Sequence, residues 1–131
     1  MPRQTIRPKP LDFQPRPTFP YSPGTRGGNM IYTAGQVGWD ETGEVGAPGD
    51  VRAQTVQTLK NVRAVLEEAG ATLDDVLKCN VYLKDIDDFQ IMNEEFARVF
   101  PVDPPARTTV ETRLSDPKML VEIEAIAYVE D

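Results

Sequence analysis

Arg107 opens the run Ala106-Arg107-Thr108-Thr109-Val110-Glu111 directly after Pro104 and Pro105, so a permanent charge stands at the mouth of a β-branched segment. The two prolines end whatever precedes them, and the run that follows has strand composition. A guanidinium in that place can pair with a carboxylate on a neighbouring strand and staple the structure. Alternatively it can grip a small anion through two parallel hydrogen bonds. Carboxylates for the first option lie in the last apolar segment, "MLVEIEAIAYVE", where Glu122 and Glu124 alternate with Val121, Ile123 and Ala125. Strand periodicity puts these glutamates on one face with Leu120, Ile126 and Tyr128, company that fits a pocket wall or an intersubunit surface better than open water. Asn93 is a third polar residue among apolar ones, four residues after Phe89 and three before Phe96. Its amide needs partners for up to four hydrogen bonds, supplied by backbone or by a site.

The missing residue types narrow the chemistry. The 131 residues include no histidine and one cysteine, Cys79. That removes Ser-His-Asp and Cys-His catalysis, histidine-based metal sites and Cys-x-x-Cys zinc sites. Carboxylates, Arg, Lys, Tyr, Thr, amides and water remain, and no metal is expected. Formal net charge is -7, which repels phosphate backbones unless a basic patch is segregated. Residues 1–26 carry five Lys/Arg and one Asp, which leaves 14 - 5 = 9 basic against 21 - 1 = 20 acidic residues beyond them. A nucleic-acid partner is therefore not expected, and the basic stretch reads as a solvated arm or one packed on its own acidic domain. The length indicates one domain. No apolar run nears the ~20 residues of a membrane-spanning helix, and no apolar h-region opens the chain. With a single cysteine, these features favour the cytoplasm.

The elements that must carry these residues follow from periodicity. Residues 1–20 hold six prolines and read as an extended, proline-rich basic arm, with the compact domain spanning 21–131. Met30 to Gly35 reads as a strand, preceded by a hairpin turn that uses Gly24, Gly27 and Gly28. Residues 40–49 form a loop. Asp50 caps a helix to about Ala69, with Val56, Leu59, Val62 and Val65/Leu66 recurring at threes and fours and Gly70 just past its end. Thr72 to Asp75 matches a capping box for a short turn. A strand follows, with Leu77, Cys79, Val81 and Leu83 inward and Lys78, Asn80 and Tyr82 outward. Cys79 is thus expected in the core. Asp87 or Asp88 caps a second helix with the stripe Phe89, Met92, Phe96 and Val99/Phe100. In the next strand Arg107, Thr109 and Glu111 point one way. The order predicts an α+β domain, one mixed sheet with two helices on one face.

The segments "PYSPGTRGGNMIYTAGQVG", "AQTVQTLKNVRAVLEEAGATLDDVLKCNVYLKDIDDFQIMNEEF", "PARTTVE" and "VEIEAIA" resemble the RidA/YjgF reactive-intermediate deaminase family, also known as the L-PSP endoribonuclease family. The resemblance implies a chorismate-mutase-like fold assembled as a barrel-like homotrimer with clefts between subunits. It implies hydrolysis of enamine/imine intermediates such as 2-aminoacrylate to 2-oxo acids and ammonia, without cofactor. It further implies that Arg107 clamps the substrate carboxylate, that Glu122 positions or activates water, and that Tyr21, Gly35, Asn93 and Thr109 line the cleft. Three departures stand out: Ala34 replaces the serine of archetypal members, Thr109 a frequent cysteine, and Trp39 sits where a proline-containing stretch is usual.

On chemical grounds alone, an imine hydrolase must orient a carboxylate and relieve a water of its proton. Arg suits the first task and a carboxylate with apolar neighbours the second. Glu122 fits, with Glu124 the local alternative. Trp39 is expected in core or trimer packing, with contact to a larger or unsaturated substrate as the other option. Competing functions are deamination of a larger enamine such as 2-aminomuconate, an endoribonuclease or translation-inhibitor role through residues 1–26, and a binding protein without chemistry.

Overall fold

Alternation of apolar and polar residues builds the central strands, and glycines and prolines confine the others to the edges. The computed structural model describes residues 2–11 and 19–130. In chain order the regular elements are β1 (Gln4–Ile6), β2 (Gly24–Gly27), β3 (Met30–Thr33), α1 (Val51–Glu68), β4 (Val76–Leu83), α2 (Phe89–Val99), β5 (Ala106–Glu111) and β6 (Val121–Tyr128). They form one six-stranded sheet of order β1-β2-β3-β6-β4-β5. β4 and β5 run parallel and every other neighbouring pair antiparallel. Both helices pack on one face, so the expected α+β layer arrangement is the one observed.

The centre of the sheet is β6 beside β4. Val121, Ile123, Ala125 and Ala127 of β6 and Cys79, Val81 and Leu83 of β4 are fully buried under the helices. α1 meets them with Leu59, Val62, Val65 and Leu66, each fully buried Val or Leu contributing about 1.5–3 kcal/mol. Asp50 caps α1 by accepting a hydrogen bond from the Ala53 amide at 3.0 Å. Gly70, at φ +91°, turns the chain out of the helix, a conformation that excludes most side chains.

Three local expectations differ from the structure. Leu77 is exposed, because a register irregularity between Val76 and Lys78 lets Val76 take the inward position; a bulge of this kind shifts which residues face the core. Gly24 and Gly27 lie within β2 rather than in a turn, and only Gly28 adopts positive φ. The turn before α2 is capped by Asp85, whose side chain accepts from the Asp87 amide, while Asp88 makes no capping bond.

The proline-rich segment is not extended throughout: Gln4–Ile6 is a strand of the sheet, and Lys9–Leu11 form a single 3-10 turn. Gln4–Ile6 pairs with β2 at the outermost edge, and Ile6 and Leu11 are buried in the main core. An edge position is where a segment flanked by prolines can pair, since one side of the strand needs no donors. Residues 12–18 of that segment lie outside the described residues. No helix among the described residues is long and apolar enough to cross a membrane.

Candidate active site

The pleat of the sheet sorts the predicted site residues into two groups. In register, Arg107 lies beside Cys79 and Cys79 beside Ala125, whereas Thr108 lies beside Asn80 and Asn80 beside Glu124. Residues side by side in register share a face. Cys79 and Ala125 face the helices, so Arg107 and Thr109 do too. Glu122 and Glu124 face away. β4 also separates β5 from β6. A cross-strand pair between Arg107 and either glutamate, one of the two options open to the sequence, therefore does not occur.

On the helix side, α2 closes over the Arg107 guanidinium. One terminal nitrogen donates to Asn93 Oδ1 at 2.6 Å and the other approaches Met92 Sδ at 3.7 Å. The guanidinium carbon stands 4.8 Å from the Phe96 ring centre and 5.6 Å from that of Phe89. Ring faces attract a cation by about 0.5–2 kcal/mol each, but they do not neutralise it. No carboxylate pairs with Arg107 among the described residues. Burial lowers its proton affinity, yet a guanidinium stays charged in proteins. The other donors of the fork make no hydrogen bond among the described residues. Thr109 Oγ1, two residues on and on the same face, is buried without a hydrogen-bond partner among the described residues. Cys79 lies beneath. Burial pushes its thiol up to about 12, so it is no nucleophile at neutral pH.

On the outer side the two glutamates have different surroundings. Tyr82 donates its hydroxyl to Glu124 Oε1 at 2.6 Å, and Asn80 Nδ2 donates to the same oxygen at 3.2 Å. That bond to a carboxylate, with burial and the glutamate charges, pushes the Tyr82 hydroxyl up to about 12. Glu124 is thus committed, whereas Glu122 accepts no hydrogen bond from the described residues. Burial, and then the like charge of Glu124, raises the Glu122 carboxyl above the usual carboxylate range. Glu122 is the better candidate base by environment.

Gly35 and Tyr21 complete this outer group. Gln36 and Ile123 exchange backbone hydrogen bonds of 2.8 and 2.9 Å, which lays Gly35 against Glu122. A Cβ at Gly35 would stand 2.7 Å from Glu122 Cδ and collide with its Oε2, so a larger residue there would displace the carboxylate from this position. The Tyr21 hydroxyl is raised by burial and by the charge of Glu122. A cleft of about 490 Å³ opens beside Tyr21, with Trp39 and Met119 in its wall.

Sequence reasoning missed the residues that hold these loops. Gln54 of α1 donates to Lys118 O at 3.0 Å and to Ala47 O at 3.2 Å, and accepts from the Leu120 amide at 2.9 Å. Asn61, two turns along, donates to Val37 O at 2.9 Å and Trp39 O at 3.1 Å. Together they pin the segments leading into Glu122 and out of Gly35. Buried amides at helical spacing on an otherwise apolar face were the available signal. Of the predicted residues, the structure joins Arg107, Asn93 and Thr109 in one group and Tyr21, Gly35 and Glu122 in another. It does not join the two groups within one chain.

Comparison with known proteins matches this fold. The family described as Endoribonuclease L-PSP matches residues 12–129. A RutC family protein of Pyrococcus abyssi is 48% identical over 117 residues, 88% of this chain and 91% of that protein. The 3-aminoacrylate deaminase RutC of Acinetobacter baylyi is 36% identical over 129 residues, 98% of this chain and 100% of that protein. The crystal structure of the Escherichia coli YjgF gene product superposes with a TM-score of 0.84 at 39% identity, covering 97% of this chain and 99% of that one. The chain belongs to the RidA/YjgF family, the Endoribonuclease L-PSP family.

Proposed function

We propose that the protein hydrolyses small carboxylate-bearing enamines and imines to 2-oxo acids and ammonia, in clefts formed between the subunits of a homotrimer. The observation that carries this reading is the uncompensated Arg107 on one face of the sheet and the unbonded, proton-avid Glu122 on the other. A 2-imino acid needs both. Its carboxylate docks on the free donors of Arg107, with Asn93 Oδ1 fixing the fork and Thr109 Oγ1 offering a further bond. An enamine first gains a proton on carbon from the bound water and gives one N–H proton back to it, becoming the imine. Glu122 then accepts a proton from water as the water oxygen bonds to the imine carbon, and returns it to nitrogen to give the carbinolamine R–C(OH)(NH₂)–COO⁻. A second proton, from the new hydroxyl, passes to nitrogen through Glu122 as the C=O forms and the C–N bond breaks, so that R–C(=NH)–COO⁻ plus H₂O becomes R–CO–COO⁻ plus NH₃. The imine is intrinsically reactive, so positioning and acid–base help suffice. The A. baylyi relative, named as a 3-aminoacrylate deaminase, supports this class of reaction.

Because the two groups face opposite sides of one sheet, Arg107 of one copy must meet Glu122 of another. Such a head-to-tail contact closes into a ring. Mixed trimers test this. Arg107→Ala and Glu122→Gln are each expected to be inactive against 2-aminoacrylate, generated from serine by a pyridoxal-phosphate dehydratase and followed as pyruvate. Co-expressed in equal amounts, they are expected to restore roughly a quarter of wild-type activity, because one cleft in four then draws both intact residues from different copies. Activity no greater than that of the parents would refute a shared site.

A further inference from the structure

The ladder between β3 and β6 is interrupted beside Glu122. Tyr32 lies beside Ile126 and Gln36 beside Ile123, so three residues, Thr33, Ala34 and Gly35, stand opposite two, Ala125 and Glu124. One extra residue on one strand of an antiparallel pair is a β-bulge. It decides which face each residue takes. Tyr32 is exposed and shares the outer face with its partner Ile126. Strict alternation from Tyr32 would bring Ala34 and Gln36 to that face and give Gly35 to the core. The bulge reverses this order. Gln36 is fully buried beside the core residue Ile123, and Gly35 takes the outer position against Glu122.

Side chains and a neighbouring loop replace the rungs that the bulge removes. The Ala125 amide donates to Thr33 Oγ1 at 3.0 Å, and the Ala34 amide to the Pro23 carbonyl at 2.8 Å. Gln36 Nε2 reaches back to the Ala34 carbonyl in a long bond of 3.4 Å, while Gln36 Oε1 is buried without a partner among the described residues. A buried acceptor left unmade costs stability, and an apolar residue of similar size would avoid that cost. Bulges re-aim residues beside active sites, and a local rule broken in a folded protein points to a site that requires it. The position that gains here is the one against the candidate base.

We propose that Thr33 and Gln36 are positioning residues of the deaminase, holding the bulge that sets Gly35, rather than a residue bearing a side chain, against the Glu122 carboxylate. The proposal rests on the deaminase reading above. Both side chains are buried on the face of the sheet away from Glu122, so they act through the backbone. Thr33 stands in for a missing backbone acceptor. Gln36 ties the Ala34 carbonyl from the inner side.

The test separates turnover from folding. Thr33→Val keeps the shape of the side chain and removes the acceptor of the Ala125 amide, whereas Thr33→Ser keeps the acceptor. Gln36→Leu removes the orphaned oxygen together with the bond to Ala34. Each is assayed with 2-aminoacrylate generated from serine by the dehydratase, and each is melted separately. Thr33→Val is expected to lose at least ~10-fold in turnover at a temperature where it is fully folded, and Thr33→Ser to stay within ~2-fold of wild type. Gln36→Leu is expected to melt no lower than wild type and still to lose at least ~10-fold in turnover. A purely structural residue would show the reverse, a lower melting temperature with activity intact in the folded protein. Wild-type turnover in folded Thr33→Val or Gln36→Leu, or equal losses in Thr33→Ser and Thr33→Val, would overturn the proposal while leaving the deaminase standing. Should Thr33→Val fail to fold, Gln36→Leu decides alone. No acceleration by wild type would overturn the deaminase reading and this proposal with it.

Discussion

On its helix side the sheet holds one guanidinium among two aromatic rings, a thioether and an amide; on its outer side the neighbouring strands carry Glu122, Glu124, Tyr82 and Asn80. The first region is a cation whose partners leave its charge unanswered. The second is a pair of carboxylates in which one member is bonded and the other is not. In the proposed reaction each region supplies half of the apparatus, the anion clamp on one side and the base on the other. A sheet one residue thick keeps the halves from neutralising each other. Had Arg107 stood one position later, the pleat would have turned it to the glutamate face, where an ion pair would satisfy both charges and leave little for a substrate. Separation on opposite faces keeps both groups unneutralised within one chain, as the proposed shared site requires.

The largest effect expected from breaking this arrangement is at the cation. Arg107→Lys keeps the charge but loses the fork, and should cost roughly 100-fold or more in kcat/KM, since two charge-assisted bonds are worth ~1.5–3 kcal/mol each. Sedimentation should show the oligomer unchanged. A lysine enzyme with near wild-type turnover would count strongly against the clamp. Asn93→Ala, which removes the 2.6 Å bond that orients the fork, should raise KM about 10-fold, because one bond to a charged group is lost.

The outer region predicts a pH effect. Glu122 must be ionised to take a proton, and its carboxyl is raised by burial and by Glu124. The acid limb of kcat/KM should therefore lie above the ordinary carboxylate range. Glu124→Gln removes the like charge and should move that limb to lower pH, without bringing it back to the ordinary position because burial remains. A limb that stays put would show that Glu122 does not set it. The same shift bears on stability. A carboxyl raised in the folded state favours folding while protonated and loses that advantage as pH rises through its folded-state value. Glu122→Gln should thus melt no lower than wild type at neutral pH, despite its loss of activity. The smallest effect on chemistry should come from Asn61→Ala. It strips the donors from the Val37 and Trp39 carbonyls and should cost about 1–3 kcal/mol of stability in denaturant titration, with activity lost only as folding is lost.

Much of the fold could be read ahead of the structure because local chemistry announces it. Asp50 and Gly70 bracket α1 to within a residue, and the alternation in "VEIEAIA" is the alternation of β6. β1 and β2 escaped because three and four residues with glycines or flanking prolines carry no periodicity, and pairing with neighbours alone makes them strands. Leu77 escaped because alternation assumes an unbroken ladder. The site was legible as residue types: Arg107, Glu122 and Asn93 were each out of keeping with their neighbours. Gln54 and Asn61 were overlooked because their partners are backbone carbonyls and amides of distant loops.

The sequence by itself determined the elements, their inward faces and the list of groups able to do chemistry, since these follow from periodicity and side-chain type within one segment. Only the tertiary structure decided that Arg107 and Glu122 stand on opposite faces and that Glu124, not Glu122, is the bonded carboxylate. A strand's pleat fixes which of its own residues share a face. Which face meets the helices, and which residues of another strand lie alongside, depend on pairing register and on burial between segments far apart in the chain.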